Sequence, residues 1–289
     1  MSANQNPDGW PDGGSTLSRP AGWTKQRPPM WRKVSLALMA LMALGMAAQA
    51  AWSAWTGQPG IGVPLVAGAI FLGHVVGLST RFWWPRQRSS RPSSLTATPD
   101  GTKGVAFPYS AWPYYWLTAV LVMTELVALA VVVAAALSAT VVGVVLAVVV
   151  GALAMGVGWF LVTMLRLAPG KLVLSPSGVC HRSLTSTHFI PWHAIVAVSA
   201  EWIGTPVIAV KAFPSGETRV RRYLGRFGSG EVQFLPMMVI RTAWLASDPS
   251  TVYAALCFYH AHPQLRDRLA TPGALDRIGN GRAARQNPL

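Results

Sequence analysis

The sequence predicts a membrane α-helical protein with four transmembrane helices in two hairpins, joined to a cytoplasmic antiparallel β domain closed by a C-terminal helix. Three observations predict it. From Tyr114 to Leu165 the chain is almost unbrokenly apolar, interrupted only at Ser138-Ala139-Thr140, and is long enough for two crossings of about 20 residues each. Lys and Arg gather before the first apolar stretch, between the second and third, and after the fourth, whereas the turns at Thr56 to Ile61 and Ser138 to Thr140 carry no charge. Beyond Pro169-Gly170 the texture changes to short β-type runs separated by turns.

Composition agrees. Of 289 residues 52% are hydrophobic and only 12% charged, too little polar surface for a soluble chain of this length. The excess of 24 Lys+Arg over 10 Asp+Glu gives a net charge of +14. No basic run is interleaved with base-stacking aromatics, so nucleic acid is not an expected partner, and the anionic inner leaflet is the natural counter-charge. Cys180 and Cys257 stand far apart and are expected as free thiols.

Residues 1–30 hold Gly, Pro, Ser and Asn without periodicity and read as a disordered tail, basic toward its end at Arg19, Lys25 and Arg27. The first hairpin, residues 31–80, crosses from Val34 to Trp55, turns at Thr56-Gly57-Gln58-Pro59-Gly60, and returns from Gly62 to Thr80. Ala48-Gln49-Ala50 has the small-residue look of a signal-peptidase site, but a basic lead of about thirty residues is long for a signal and the apolar run continues past it. Residues 81–112, with Arg86, Arg88, Arg91 and Lys103 among Ser and Pro, read as a cytoplasmic linker. The second hairpin, residues 113–167, follows the aromatic belt of Trp112 to Trp116, turns near Ser138, and is closed by Trp159, Phe160 and Arg166. The basic segments then place both termini in the cytoplasm and the protein in the cell membrane.

Residues 168–270 read as the β domain. Lys171 to Leu174 and Val179 to Arg182 form a hairpin around Ser175-Pro176-Ser177-Gly178, with Gly178 supplying a positive φ. Further strands are expected near His188 to Trp192, Ile195 to Trp202, Pro206 to Phe213, Thr218 to Tyr223 and Val232 to Ile240. Asp248 and Pro249 open a helix with Val252, Leu256 and Tyr259 on one face, and an amphipathic turn follows at Arg266 to Leu269. Residues 271–289 read as a second disordered tail.

Three stretches resemble the bacterial pleckstrin-homology-like domains found on small membrane proteins, with an actinobacterial cast to the third. They are Leu172-Val173-Leu174-Ser175-Pro176-Ser177-Gly178-Val179, Ile190-Pro191-Trp192-His193-Ala194-Ile195, and Phe258-Tyr259-His260-Ala261-His262-Pro263-Gln264-Leu265-Arg266. The resemblance covers about a third of the chain. It implies a bent antiparallel sheet capped by one helix, and binding or scaffolding in place of catalysis; it transfers no ligand to named residues.

The candidate sites follow from charge and spacing. Glu125 is a carboxylate inside a predicted span, where such groups face a partner or a water path, and His74 is its best partner at a height difference of roughly 6 Å, counted at 1.5 Å per residue. Together they suggest a proton or cation relay; alternatively Glu125 is satisfied by Thr124 or a backbone carbonyl. Gly73 and Gly77 form a G-x-x-x-G motif for close helix packing, within the bundle or in a homo-oligomer. Arg219, Arg221, Arg222 and Arg226, with Lys211 nearby in sequence, form the most basic stretch of the domain and suit anionic lipid headgroups. His181, His188, His193, His260 and His262 lack metal-ligand spacing, and no nucleophile, phosphate or dinucleotide motif occurs, so no metal, cofactor or enzymatic activity is expected. The leading expectation is a noncatalytic scaffold or regulator that meets a membrane or cytoplasmic protein or anionic lipid. The alternative is a small transporter or channel subunit using Glu125 and His74.

Overall fold

The structure, a computed structural model, describes residues 20–23, 30–83, 94–98, 101–224 and 237–279. It divides into two compact units, one made of the long helices and one of the strands with the short helices.

In the helical unit α1 (Met30–Trp55) and α2 (Pro59–Trp83) form one hairpin, and α3 (Ala111–Leu137) and α4 (Val141–Leu167) form the other. At 1.5 Å per residue, helices of 25 to 27 residues reach about 38 to 40 Å, more than the ~30 Å hydrocarbon layer. Each is long and apolar enough to cross a membrane. Leu38, Leu41, Val63, Leu126, Val148 and Leu153 stand exposed on these helices, as side chains that face lipid would. The first turn closes on Gly57 at φ 72°, and the Gln58 amide donates to the Ser53 carbonyl at 2.8 Å. The second turns at Ala139, and the Thr140 hydroxyl caps α4 by accepting from the Gly143 amide at 3.0 Å.

The sheet unit gathers three separate stretches of chain: the segment around Trp23, residues 87–110, and residues from 167 onward. Its larger sheet has six strands in the order β1-β2-β3-β4-β5-β8: β1 (Ser94–Ala97), β2 (Lys103–Pro108), β3 (Lys171–Leu174), β4 (Gly178–Arg182), β5 (Ser186–Pro191) and β8 (Arg219–Arg222). The smaller has the order β6-β7-β9: β6 (Ile195–Ile203), β7 (Thr205–Ala212) and β9 (Met238–Arg241). Every pairing is antiparallel.

Residues 94–97 and 103–108 correct the linker reading of 81–112. The register sets Val105 opposite Leu174 and Phe107 opposite Leu172, and Val105, Phe107, Leu172 and Leu174 are all fully buried. Polar and proline punctuation hid this strand because, besides the short local β1, its partner is β3, some sixty residues downstream, beyond a helical hairpin. Two further corrections concern the tails. Trp23 is 2% exposed, its indole N–H donates to the Val207 carbonyl at 2.8 Å, and its ring lies 5.9 Å from that of Tyr253. At the other end α6 (Pro272–Gly279) buries Ala274 and Ile278. Both segments were too short to show periodicity.

The helix α5 (Pro249–Ala261) begins as read from the sequence: the Asp248 carboxylate accepts from the Thr251 amide at 3.1 Å, with Pro249 in the first turn. Val252, Leu256 and Tyr259 on it are fully buried. Residues Pro263–Ala270 continue as a 3-10 helix. Gly178 is not a positive-φ residue; a Cβ there would run into the backbone of Ile190 and Pro191 on β5, so glycine serves close strand approach. The expected strand at Val232 to Ile240 is confined to Met238–Arg241 among the described residues, and 225–236 lie outside them.

Candidate functional site

His74 and Glu125 are not brought together. The His74 ring is held by Nδ1, which donates to the Ile70 carbonyl at 2.8 Å, with Nε2 3.4 Å from the Tyr115 hydroxyl and the ring edge-on to Trp116 at 5.1 Å. Glu125 lies nine residues beyond Trp116 on α3, about 13 Å along the helix axis. Its neighbour is Gly158 of α4, where a Cβ would sit 3.5 Å from Oε1. Counting residues from the helix ends gives height alone, and height does not say which side chains a ring or carboxylate will meet. Thr124 turns its hydroxyl to the Val120 carbonyl at 2.8 Å, and the buried Glu125 Oε2 finds no partner among the described residues.

The two glycines of the G-x-x-x-G motif part company. Gly77 lies under the Trp116 ring, where a Cβ would come within 2.7 to 2.9 Å of it, so this position packs α2 against α3. A Cβ at Gly73 would meet nothing within 4 Å.

The basic stretch is divided between the sheets. Lys211 stands on β7 and pairs with Glu201 of β6 at 2.8 Å, while Ser199 donates to the same carboxylate at 2.7 Å; the Lys211 bond and then Ser199 hold the Glu201 carboxyl below its ordinary range. Lys211 thus belongs to a local ion pair and not to the arginine cluster. Arg219, Arg221 and Arg222 form β8, the last strand of the larger sheet among the described residues, and Arg226 lies outside them. On β8 the guanidinium of Arg221 lies 5.0 Å over the Tyr223 ring.

Register extends this cluster with residues that linear spacing could not connect. Directly opposed partners share a sheet face, and Lys171 pairs with Arg182, Arg182 with Thr187, and Thr187 with Arg221. One rung across β3, β4, β5 and β8 therefore carries Lys, Arg, Thr and Arg. The neighbouring rung on the same face runs Val173, Cys180, Phe189 and Arg219.

The opposite face of β4 and β5 holds His181 against His188. The Tyr109 hydroxyl is hydrogen-bonded to His181 Nε2, and Tyr109 also stacks on Trp244 at 6.3 Å. Burial, and then the charge of His188, pushes His181 down to about 3; burial alone pushes His188 down to about 4. Both are neutral core residues at neutral pH. Among the described residues no group of three or more His, Cys, Asp or Glu could hold a metal. Cys180 and Cys257 are free thiols, the first buried and the second half-buried.

The three stretches that carry the family resemblance converge. The Trp192 indole donates to the Ser175 carbonyl at 2.8 Å. Arg266 lies 4.9 Å over the Trp192 ring and donates to the carbonyls of Tyr259 and His260 at 2.8 and 2.9 Å. No protein-family model, curated protein or solved structure matches the chain.

Proposed function

We propose that this chain is a multi-pass membrane protein whose spans hold a noncatalytic, pleckstrin-homology-like β domain at the inner leaflet, as a scaffold or regulator. One observation carries the reading: the stretches before α1, between α2 and α3, and after α4 all join one folded unit. If the four long helices are crossings, each hairpin must return to the side it left, and the three stretches share one side. The abundance of Lys and Arg in those stretches identifies that side as cytoplasmic. The packing of Trp23 against Val207 gives the chain ahead of α1 a place in the fold, which favours a retained first crossing over a cleaved signal.

The pleckstrin-homology-like assignment draws support from the two antiparallel sheets, the closing α5, and the contact of Ser175, Trp192 and Arg266. It departs from the expected domain in recruiting β1 and β2 from between the hairpins. The transport alternative asks Glu125 and His74 to act as a pair, and the contacts of His74 with Ile70, Tyr115 and Trp116 leave it without that support.

The test is sidedness in intact cells, using a membrane-impermeant thiol reagent on the full chain against the wild-type background. Glu217→Cys, on the exposed turn before β8, should label only after permeabilisation, whereas Gln58→Cys, in the turn between α1 and α2, should label without it. The reverse pattern refutes the reading.

A further inference from the structure

We infer that the groove holding Trp23 is a binding site for Pro-x-Gly-Trp peptide, and that its alternative occupant is the other copy of that motif in this chain, Pro7-Asp8-Gly9-Trp10. The tetrapeptide occurs twice, thirteen residues apart, as Pro7-Asp8-Gly9-Trp10 and as Pro20-Ala21-Gly22-Trp23. The second copy is seated in the sheet unit, where Ala21–Trp23 form a single 3-10 turn and the Trp23 amide donates to the Pro20 carbonyl at 3.0 Å. The first copy lies outside the described residues and is known here by its sequence alone.

The seat selects three of the four positions. Proline presets the backbone at the head of the turn. A Cβ at Gly22 would collide with the Ala200 carbonyl of β6, a backbone group that cannot step aside without disturbing the sheet, so glycine is required. Trp23 is 2% exposed, its indole N–H donates to the Val207 carbonyl of β7 at 2.8 Å, and its ring lies 5.9 Å from that of Tyr253 on α5. An aliphatic or phenyl side chain would bring that carbonyl no N–H. The two copies differ only at the remaining position, where Asp8 answers to Ala21. The first copy thus keeps every residue the seat selects. Being part of the same chain, it meets the groove at an effective concentration in the millimolar range, above that of any second molecule. Exchange would change the length of chain ahead of α1. With Trp23 seated, six residues (24–29) precede Met30 and span at most about 25 Å; with Trp10 seated, nineteen (11–29) span at most about 70 Å, at ~3.3 to 3.6 Å per residue. The groove is then a clasp that holds α1 on a short tether or a long one.

The experiment is a double-mutant cycle of Trp10→Ala and Trp23→Phe, read as the folding constant of the sheet unit by denaturant unfolding of the full chain in detergent. Trp23→Phe keeps an aromatic ring in the seat and loses only the bond to the Val207 carbonyl, so it weakens the resident copy by roughly fivefold without emptying the groove. For copies of equal strength, Trp10→Ala should then lower the folding constant about twofold beside Trp23 and about sixfold beside Trp23→Phe, where the spare copy supplies most of the occupancy. Gly9→Val leaves Trp10 in place but carries a Cβ toward the Ala200 carbonyl, and should match Trp10→Ala in both backgrounds. Equal losses for Trp10→Ala in the two backgrounds would put Trp10 to some other use and overturn the inference, as would no loss beside Trp23→Phe. A sixfold loss that changes over a tenfold range of protein concentration would assign the spare motif to the groove of a second copy and overturn exchange within one chain. The readout is the same whichever side of the membrane the sheet unit occupies, so it stands apart from the sidedness test.

Discussion

Trp23, His181 and His188 show how single side chains set the behaviour of the sheet unit. Trp23 is buried and hydrogen-bonded through its indole, so Trp23→Ala should destabilise the unit by about 3 to 5 kcal/mol, measured by denaturant unfolding of the full chain in detergent. The histidines give a pH dependence whose sign is fixed. Unfolded, both titrate near 6.5; folded, they are pushed to about 3 and about 4, so the unfolded chain binds more protons between those limits. Stability is complete above about pH 6.5 and falls as the pH drops toward 4, by up to ~1.4 kcal/mol per unit for each histidine. Melting followed from pH 7.5 to 4.5 should show that fall, and His188→Gln should make it shallower. Glu201, also held below its ordinary value, loses its contribution only at lower pH, below 4.5. In the helical unit Glu125→Gln should leave melting unchanged or raise it, since one carboxylate oxygen is buried without a partner. The location of Glu125 in a long apolar helix was legible from sequence; its neighbours were not, because which helix faces meet is set by packing such as Trp116 on Gly77 and not by residue count.

Among the elements, the long helices were the most legible, since apolar length is a property of contiguous residues. The capped start of α5 was equally plain, because Asp248 and Pro249 act within one turn. Strands β1 and β2 were hidden for the opposite reason: their hairpin is short and polar, and what buries Lys103–Pro108 is its pairing with the distant Lys171–Leu174. Phe107→Ala therefore separates the two readings. In a solvated linker it would be silent, but in β2, where Phe107 is 1% exposed, it should cost about 3 to 5 kcal/mol in the same unfolding assay. Gly178→Ala should also destabilise, by forcing β4 away from the β5 backbone. The same dependence on register explains the cationic rung. Lys171, Arg182 and Arg221 are scattered along the chain and become neighbours only through pairing.

Over the whole molecule, three stretches assemble into a single unit; for helices that cross a membrane this requires an even number of crossings between them and one shared side, which the sidedness experiment tests directly. Charge asymmetry in the sequence is what the proposed orientation rests on. The interleaving of chain segments was not legible there, since composition registers what each stretch contains and not what it will join.

That interleaving bears on biosynthesis. Strand β2 leaves the ribosome before the second hairpin, and roughly sixty residues must follow before β3 can meet it, about 3 to 12 s at ~5 to 20 residues per second. During that interval β2 has only β1 beside it, and Val105 and Phe107 lack the Leu174 and Leu172 that they will stand opposite. Completion of the domain thus waits for the second hairpin to be synthesised, and a chain arrested before Lys171 presents an unfinished β edge to the proteases and chaperones of the cell.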